Sequence, residues 1–113
     1  MLNQRLNAAR LVNDQLHATE RAIDAAVMEA AAFVASMPRA RMDANIAAEV
    51  GQAAIERSAA AFAALIEARR EIVAAHQELA AVKDQIGLRT VALGGMHYKG
   101  PKAHGLTVVE NAA

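Results

Sequence analysis

The seven-residue spacing of large apolar side chains constrains this chain more than any other feature. Leu65, Ile72, Leu79 and Ile86 stand seven residues apart. Two turns of an α-helix take about 7.2 residues, so such a row holds one stripe against a neighbouring helix. Ala61, Ala68, Ala75 and Val82 read as the companion row of the same seam, small against large. Ile55, Phe62, Ile66 and Val73 widen the stripe to what a bundle uses. A looser version runs upstream through Leu2, Ala9, Leu16, Ile23, Ala30 and Met37. Leu6, Val12, Ala26 or Val27, and Phe33 or Val34 lie beside it, while Asn13, Asp14, Glu20, Arg21 and Asp24 read as a wet face.

Proline and glycine punctuate these patterns. Leu2 to Ser36 contains neither residue, and Pro38 to Ile86 contains one glycine, Gly51. Inside a helix Pro38 would remove a hydrogen bond and clash with the preceding turn, costing about 3 kcal/mol. At the first turn of a new helix it costs nothing, with Ser36 as the N-cap. The sequence therefore predicts a turn near 36–39 and an antiparallel hairpin of two long helices over 1–87. The rival is one continuous helix kinked at Pro38. With the turn at Pro38, the second helix is the longer by roughly a dozen residues, a length that follows from the Pro and Gly positions. Its end, with Leu79, Val82 and Ile86, would then overhang the first. A second hairpin across a two-fold axis would cover that overhang and complete a four-helix bundle. The predicted fold class is all-α.

Residues 88–113 differ in character. From Gly87 onward the chain holds five of its six glycines and one of its two prolines. Gly87 is a helix stop. Leu88 to Leu93 and Leu106 to Glu110 contain β-branched residues, so a short β-like ribbon and a disordered tail are both open readings.

Composition supports association. Hydrophobic residues make up 55% of 113, but much of that is alanine, with two Phe, one Tyr and no Trp. Alanine favours helix and buries little area, so a monomer's core is expected to be thin. Twelve basic and twelve acidic residues give a net charge of zero, with no global pull toward nucleic acid or anionic membrane. Zero cysteines exclude disulfides, thiolate catalysis and Cys-ligated metals. The polar N-terminal residues contain no signal-peptide core. The most apolar stretch, Ala22 to Met37, carries Asp24 and Glu29 and is too short for a membrane span. A soluble, cytoplasmic protein is the expectation.

Motifs for chemistry are sparse. Helical di-metal bundles use Glu-x-x-His pairs on facing helices. Here Asp14-x-x-His17 is the nearest approach, and Val73 occupies the needed position before His76. His17 and His76 thus read as boundary residues. No nucleotide fingerprint surrounds Gly94 and Gly95, and no nucleophile–base constellation is evident. The sequence assigns no catalytic residue, metal ligand or cofactor.

Two sets of residues remain as candidates. Leu16, Ile23, Phe62, Leu65, Ile72, Leu79, Val82 and Ile86 form the candidate interface. His97, Tyr98, Lys99, Lys102 and His104 form a candidate recognition loop in the tail. Arg89, Lys99 and Lys102 against Glu110 make the tail mildly basic, far from a dedicated nucleic-acid footprint. The sequence thus points to a non-enzymatic assembly protein that forms a homo-oligomer, a dimer first, and presents its tail to a protein partner. Two other readings stay open. One is a small helical metal- or ligand-binding enzyme using His and carboxylate groups. The other is a regulatory module whose tail contacts nucleic acid or a larger complex.

Overall fold

A computed structural model describes residues 1–88. The tail, with its two β-branched runs and the residues His97, Tyr98, Lys99, Lys102 and His104, lies outside the described residues. The described chain is all-helical. Helix α1 spans Leu2–Asp43 and helix α2 spans Gln52–Gln85, packed against each other. No strand occurs among the described residues. None of their helices is long and apolar enough to cross a membrane.

The turn is not at 36–39. Helix α1 runs through Pro38 and ends some five residues later. Pro38 lacks the N–H that would reach the Val34 carbonyl, and Ser36 Oγ donates to the Phe33 carbonyl (2.7 Å) instead of capping a new helix. The helix continues because the residues around the proline still have something to pack on. Val34, Met37 and Arg41 are half-buried, and Ser58 Oγ on α2 meets Met37 Sδ at 4.0 Å. The rival expectation of a helix running on through Pro38 is therefore the correct local reading, although the hairpin itself forms.

The stop signal in use is Asn45. Its φ is 59°, the left-handed region that asparagine tolerates best after glycine. Asn45 N–H donates to the Met42 carbonyl and Ile46 N–H to the Arg41 carbonyl, each at 3.1 Å. That crossed pair is a Schellman motif, which satisfies the last orphaned carbonyls of α1. Arg41 Nη1 adds a bond to the Ile46 carbonyl at 2.7 Å. Residues 44–51 then form the connection. Gly51, at φ +87°, accepts the first helical bond of α2 from Ile55 N–H. Helix α2 thus begins at Gln52, not at Pro38. Its own end repeats the device. Gly87, also at φ +87°, donates to Asp84, and Leu88 N–H donates to the Lys83 carbonyl.

Element lengths change accordingly. Helix α1 has 42 residues and α2 has 34, so the expected overhang of the second helix does not exist. The end of α2 is matched by the start of α1. Arg5 Nη1 donates to the Ile86 carbonyl at 3.3 Å.

The chain divides into two compact units. The terminal unit comprises Met1–His17 with the residues from Ala74 onward. It contains the buried residues Asn13 (4% exposed), Leu16 (7%) and Leu88 (0%). The turn unit comprises Ala18–Val73. Its apolar seam is half-buried: Ile23, Ala30 and Met37 from α1, with Ile55, Phe62, Leu65 and Ile72 from α2.

The observed rows refine the expected ones. Leu65, Ile72, Leu79 and Ile86 are all half-buried, as are Ala9, Ile23, Ala30 and Met37, while Leu16 is buried and Leu2 is 60% exposed. The companion rows differ. On α2 it is Ile55, Phe62, His76 and Lys83 that are half-buried, whereas of the expected row Ala68 is half-buried and Ala61, Ala75 and Val82 are exposed. Turning Ile55 and Phe62 inward removes more apolar area from water than turning alanines inward, at roughly 25 cal/mol per Å². On α1 the companion row is Leu6, Asn13, Glu20, Val27 and Val34, so Asn13 and Glu20 leave the expected wet face for the seam.

Candidate functional site

The terminal unit carries an apolar groove. Ala8, Ala9 and Val12 of α1 face Leu79, Val82 and Ile86 across a cavity of about 140 Å³, with Lys83 at its edge. Heptad spacing places these residues opposite one another: Ala9 and Leu79 belong to the seam rows, and Val12 and Val82 flank them. Both valines are 42% exposed. The groove is therefore an apolar surface open to water beside a seam that is already packed.

A polar contact lies in the same unit. His17 of α1 and His76 of α2 meet edge to face, with ring centroids 6.4 Å apart and ring planes at 80°. Both side chains are half-buried, and His76 Nε2 is shut off from solvent. Asn13, one helical turn before His17, is almost fully buried. The two histidines are 59 residues apart in sequence. Each helix carries only one of them, so no local motif announces the pair. Among the described residues no group of three or more His, Asp or Glu side chains is arranged around a common metal position.

No known protein family, characterised protein or solved structure matches this chain.

The turn unit has a more polar cleft. Glu20, Ile23 and Asp24 of α1 and Arg69, Ile72 and Val73 of α2 line a volume of about 260 Å³. Arg69 Nε donates to Asp24 Oδ1 at 2.7 Å. That hydrogen bond, then the Asp24 charge, with Glu20 adding, holds the Arg69 guanidinium above its ordinary pKa against a small opposing effect of burial. Both partners are about half exposed, so the pair is screened by salt and orients α1 on α2 more than it stabilises them. An i,i+3 pair, Glu67–Arg70, forms on the wet face of α2.

The candidate interface residues fall in both units. Leu16, Leu79, Val82 and Ile86 lie in the terminal unit, and Ile23, Phe62, Leu65 and Ile72 in the turn unit. All but Val82 are buried or half-buried within the hairpin, so they pack α1 on α2. The large apolar side chains that stay exposed along the two helices include others: Leu11 (72%), Met28 (68%), Phe33 (58%), Ile66 (38%) and Val73 (42%), besides Val12 and Val82. The sequence pattern placed Val12 in the seam and left Phe33 and Val34 as alternatives, of which Val34 is half-buried. In both places the side chain one position on, Asn13 or Val34, completes the row that packs.

Proposed function

We propose that this chain is a non-enzymatic assembly protein whose helical hairpin associates with a second copy of itself. The observation that carries the reading is the mismatch between a thin interior and an apolar exterior. Leu16 and Leu88 are the buried apolar residues among those described, while Leu11, Met28 and Phe33 stand more than half exposed. The two helices of the described residues supply no further layer to cover them. Two hairpins completing a four-helix bundle would bury both seams and flanks. A stable interface of this kind removes about 1,200–2,000 Å² from water. In this reading the homodimer is a cytoplasmic platform, and residues 88–113 reach a protein partner from it.

Size-exclusion chromatography with light scattering tests it. The expected result is a dimer at tens of micromolar. A cooperatively folded monomer at that concentration would overturn the proposal. Val12→Glu combined with Val82→Glu separates association from folding, because both sites are exposed in the single hairpin. The double variant should keep its helicity and lose the dimer.

A further inference from the structure

The seam has two sides, and they differ in charge. On α1, Ala26 and Phe33 stand beside the half-buried Ile23, Ala30 and Met37, while Asp24 stands beside the other packing row, Glu20 and Val27. On α2, Ala61 and Ala68 stand beside Leu65 and Ile72, while Ile66 and Val73 stand beside Phe62 and Arg69. Asp24 and Val73 line one cleft, with the Asp24–Arg69 hydrogen bond in it. Ala26, Phe33, Ala61 and Ala68 therefore occupy the opposite side of the turn unit. In the terminal unit the same heptad position holds Val12, Ala75 and Val82, and the two valines line the apolar groove.

We propose that this uncharged side is where the second copy docks, with Phe33 of each copy seated among the alanines of the other. The inference rests on the homodimer reading and names its face. Charge separates the two sides. From Val12 to Ala40 and from Ala54 to Val82, every residue at this heptad position is Val, Thr, Ala or Phe. The other side carries the Asp24–Arg69 pair, half exposed, and covering it would take two charges out of water at a cost their attraction need not repay. Shape favours the same choice. Phe33 is 58% exposed, and Ala26, Ala61 and Ala68 are small, so one patch offers a knob and shallow holes. A patch that complements itself is what a two-fold interface needs. Area is sufficient as well. Each of those stretches of helix extends about 43 Å, and two helices side by side are about 20 Å wide. With each unit supplying its own part, the face reaches the roughly 800 Å² per partner of a stable interface.

Sedimentation equilibrium of full-length variants tests the face. Phe33→Glu and Ala61→Glu should each raise the dimer dissociation constant at least about thirtyfold, as loss of a central contact does. Ile66→Glu combined with Val73→Glu, on the charged side, should change it less than about threefold. All four positions are exposed, and circular dichroism checks that helicity is kept. A second measurement uses milder changes. The chain has no cysteine, so Ala61→Cys and Val73→Cys each introduce a single thiol. Labelling of Ala61→Cys should slow as the protein concentration passes the dissociation constant, while that of Val73→Cys should not. The inference falls, with the homodimer left standing, if Phe33→Glu and Ala61→Glu leave the dimer intact. It falls in the same way if the Ile66 and Val73 substitutions weaken the dimer as much, or if Val73→Cys is protected and Ala61→Cys is not. A wild-type monomer overturns the homodimer reading itself, and this face with it.

Discussion

Arg5 Nη1 donates a hydrogen bond to the carbonyl of Ile86, joining residues 81 positions apart at 3.3 Å. Arg5 Nη1 also lies 3.8 Å from where a Cβ on Gly87 would stand. The start of α1 therefore sits over the C-terminal cap of α2, where a cation complements the negative end of the helix dipole. It also removes the reason for expecting uncovered residues at the end of α2.

Replacing Leu16 should separate the interior from the surface. Leu16 is 7% exposed and Leu11 is 72% exposed on the same helix. Leu16→Ala should destabilise the fold by about 2–3 kcal/mol, within the range for buried leucines. Leu11→Ala should change the stability of the hairpin by less than about 0.5 kcal/mol. Urea unfolding followed at 222 nm measures both. Equal effects would show that Leu16 is not the packed residue.

Pro38→Ala should stabilise the protein, by up to about 3 kcal/mol, because an alanine there restores the N–H for the Val34 carbonyl and relieves the ring clash. A chain that turned at Pro38 would gain nothing from this change. The midpoint of thermal unfolding decides between the two.

The cap residues predict opposite outcomes at two similar sites. Gly87→Ala places a Cβ at φ +87° without a steric contact closer than 3.8 Å, so its cost is backbone strain of about 1 kcal/mol. Asn45→Gly should be neutral or slightly stabilising, while Asn45→Val should cost about 1–2 kcal/mol at φ 59°. Comparing the three variants by chemical denaturation checks the assignment of both Schellman motifs.

Ile72→Asp should disrupt the turn unit. Ile72 is half-buried and lines a cleft with Ile23 beside Glu20 and Asp24. A third carboxylate there is partly desolvated beside Glu20 and Asp24, and Arg69 in the same cleft is already paired with Asp24, so the substitution costs several kcal/mol. Loss of helical signal at room temperature, or a large drop in midpoint, is the expected reading. An unchanged midpoint would remove Ile72 from the seam.

Much of the architecture was legible in the heptad rows, because a stripe repeated every seven residues has few solutions other than packed helices. The row through Leu65, Ile72, Leu79 and Ile86 landed on the seam. The turn was misplaced because a proline is a strong local signal and Asn45 a weak one, while the packing that keeps Met37 and Arg41 helical is not local. The companion rows were misread for a related reason. Spacings of three and four both continue a heptad, and only the partner helix decides between Ala61 and Phe62. The His17–His76 contact was invisible, since each histidine looks like a solitary boundary residue until the hairpin brings them together.

The burial pattern bears on how the molecule loosens. Two-helix hairpins are usually pictured as fraying from their chain ends, where closure spans the longest loop. Here the residues with the least exposure, Asn13, Leu16 and Leu88, all belong to the unit that contains the N-terminus. Residues 42–54, around the connection, are exposed throughout. Amide exchange should accordingly be fastest around 44–51 and slow near Leu16, so that the hairpin breathes from its bend while its ends stay latched.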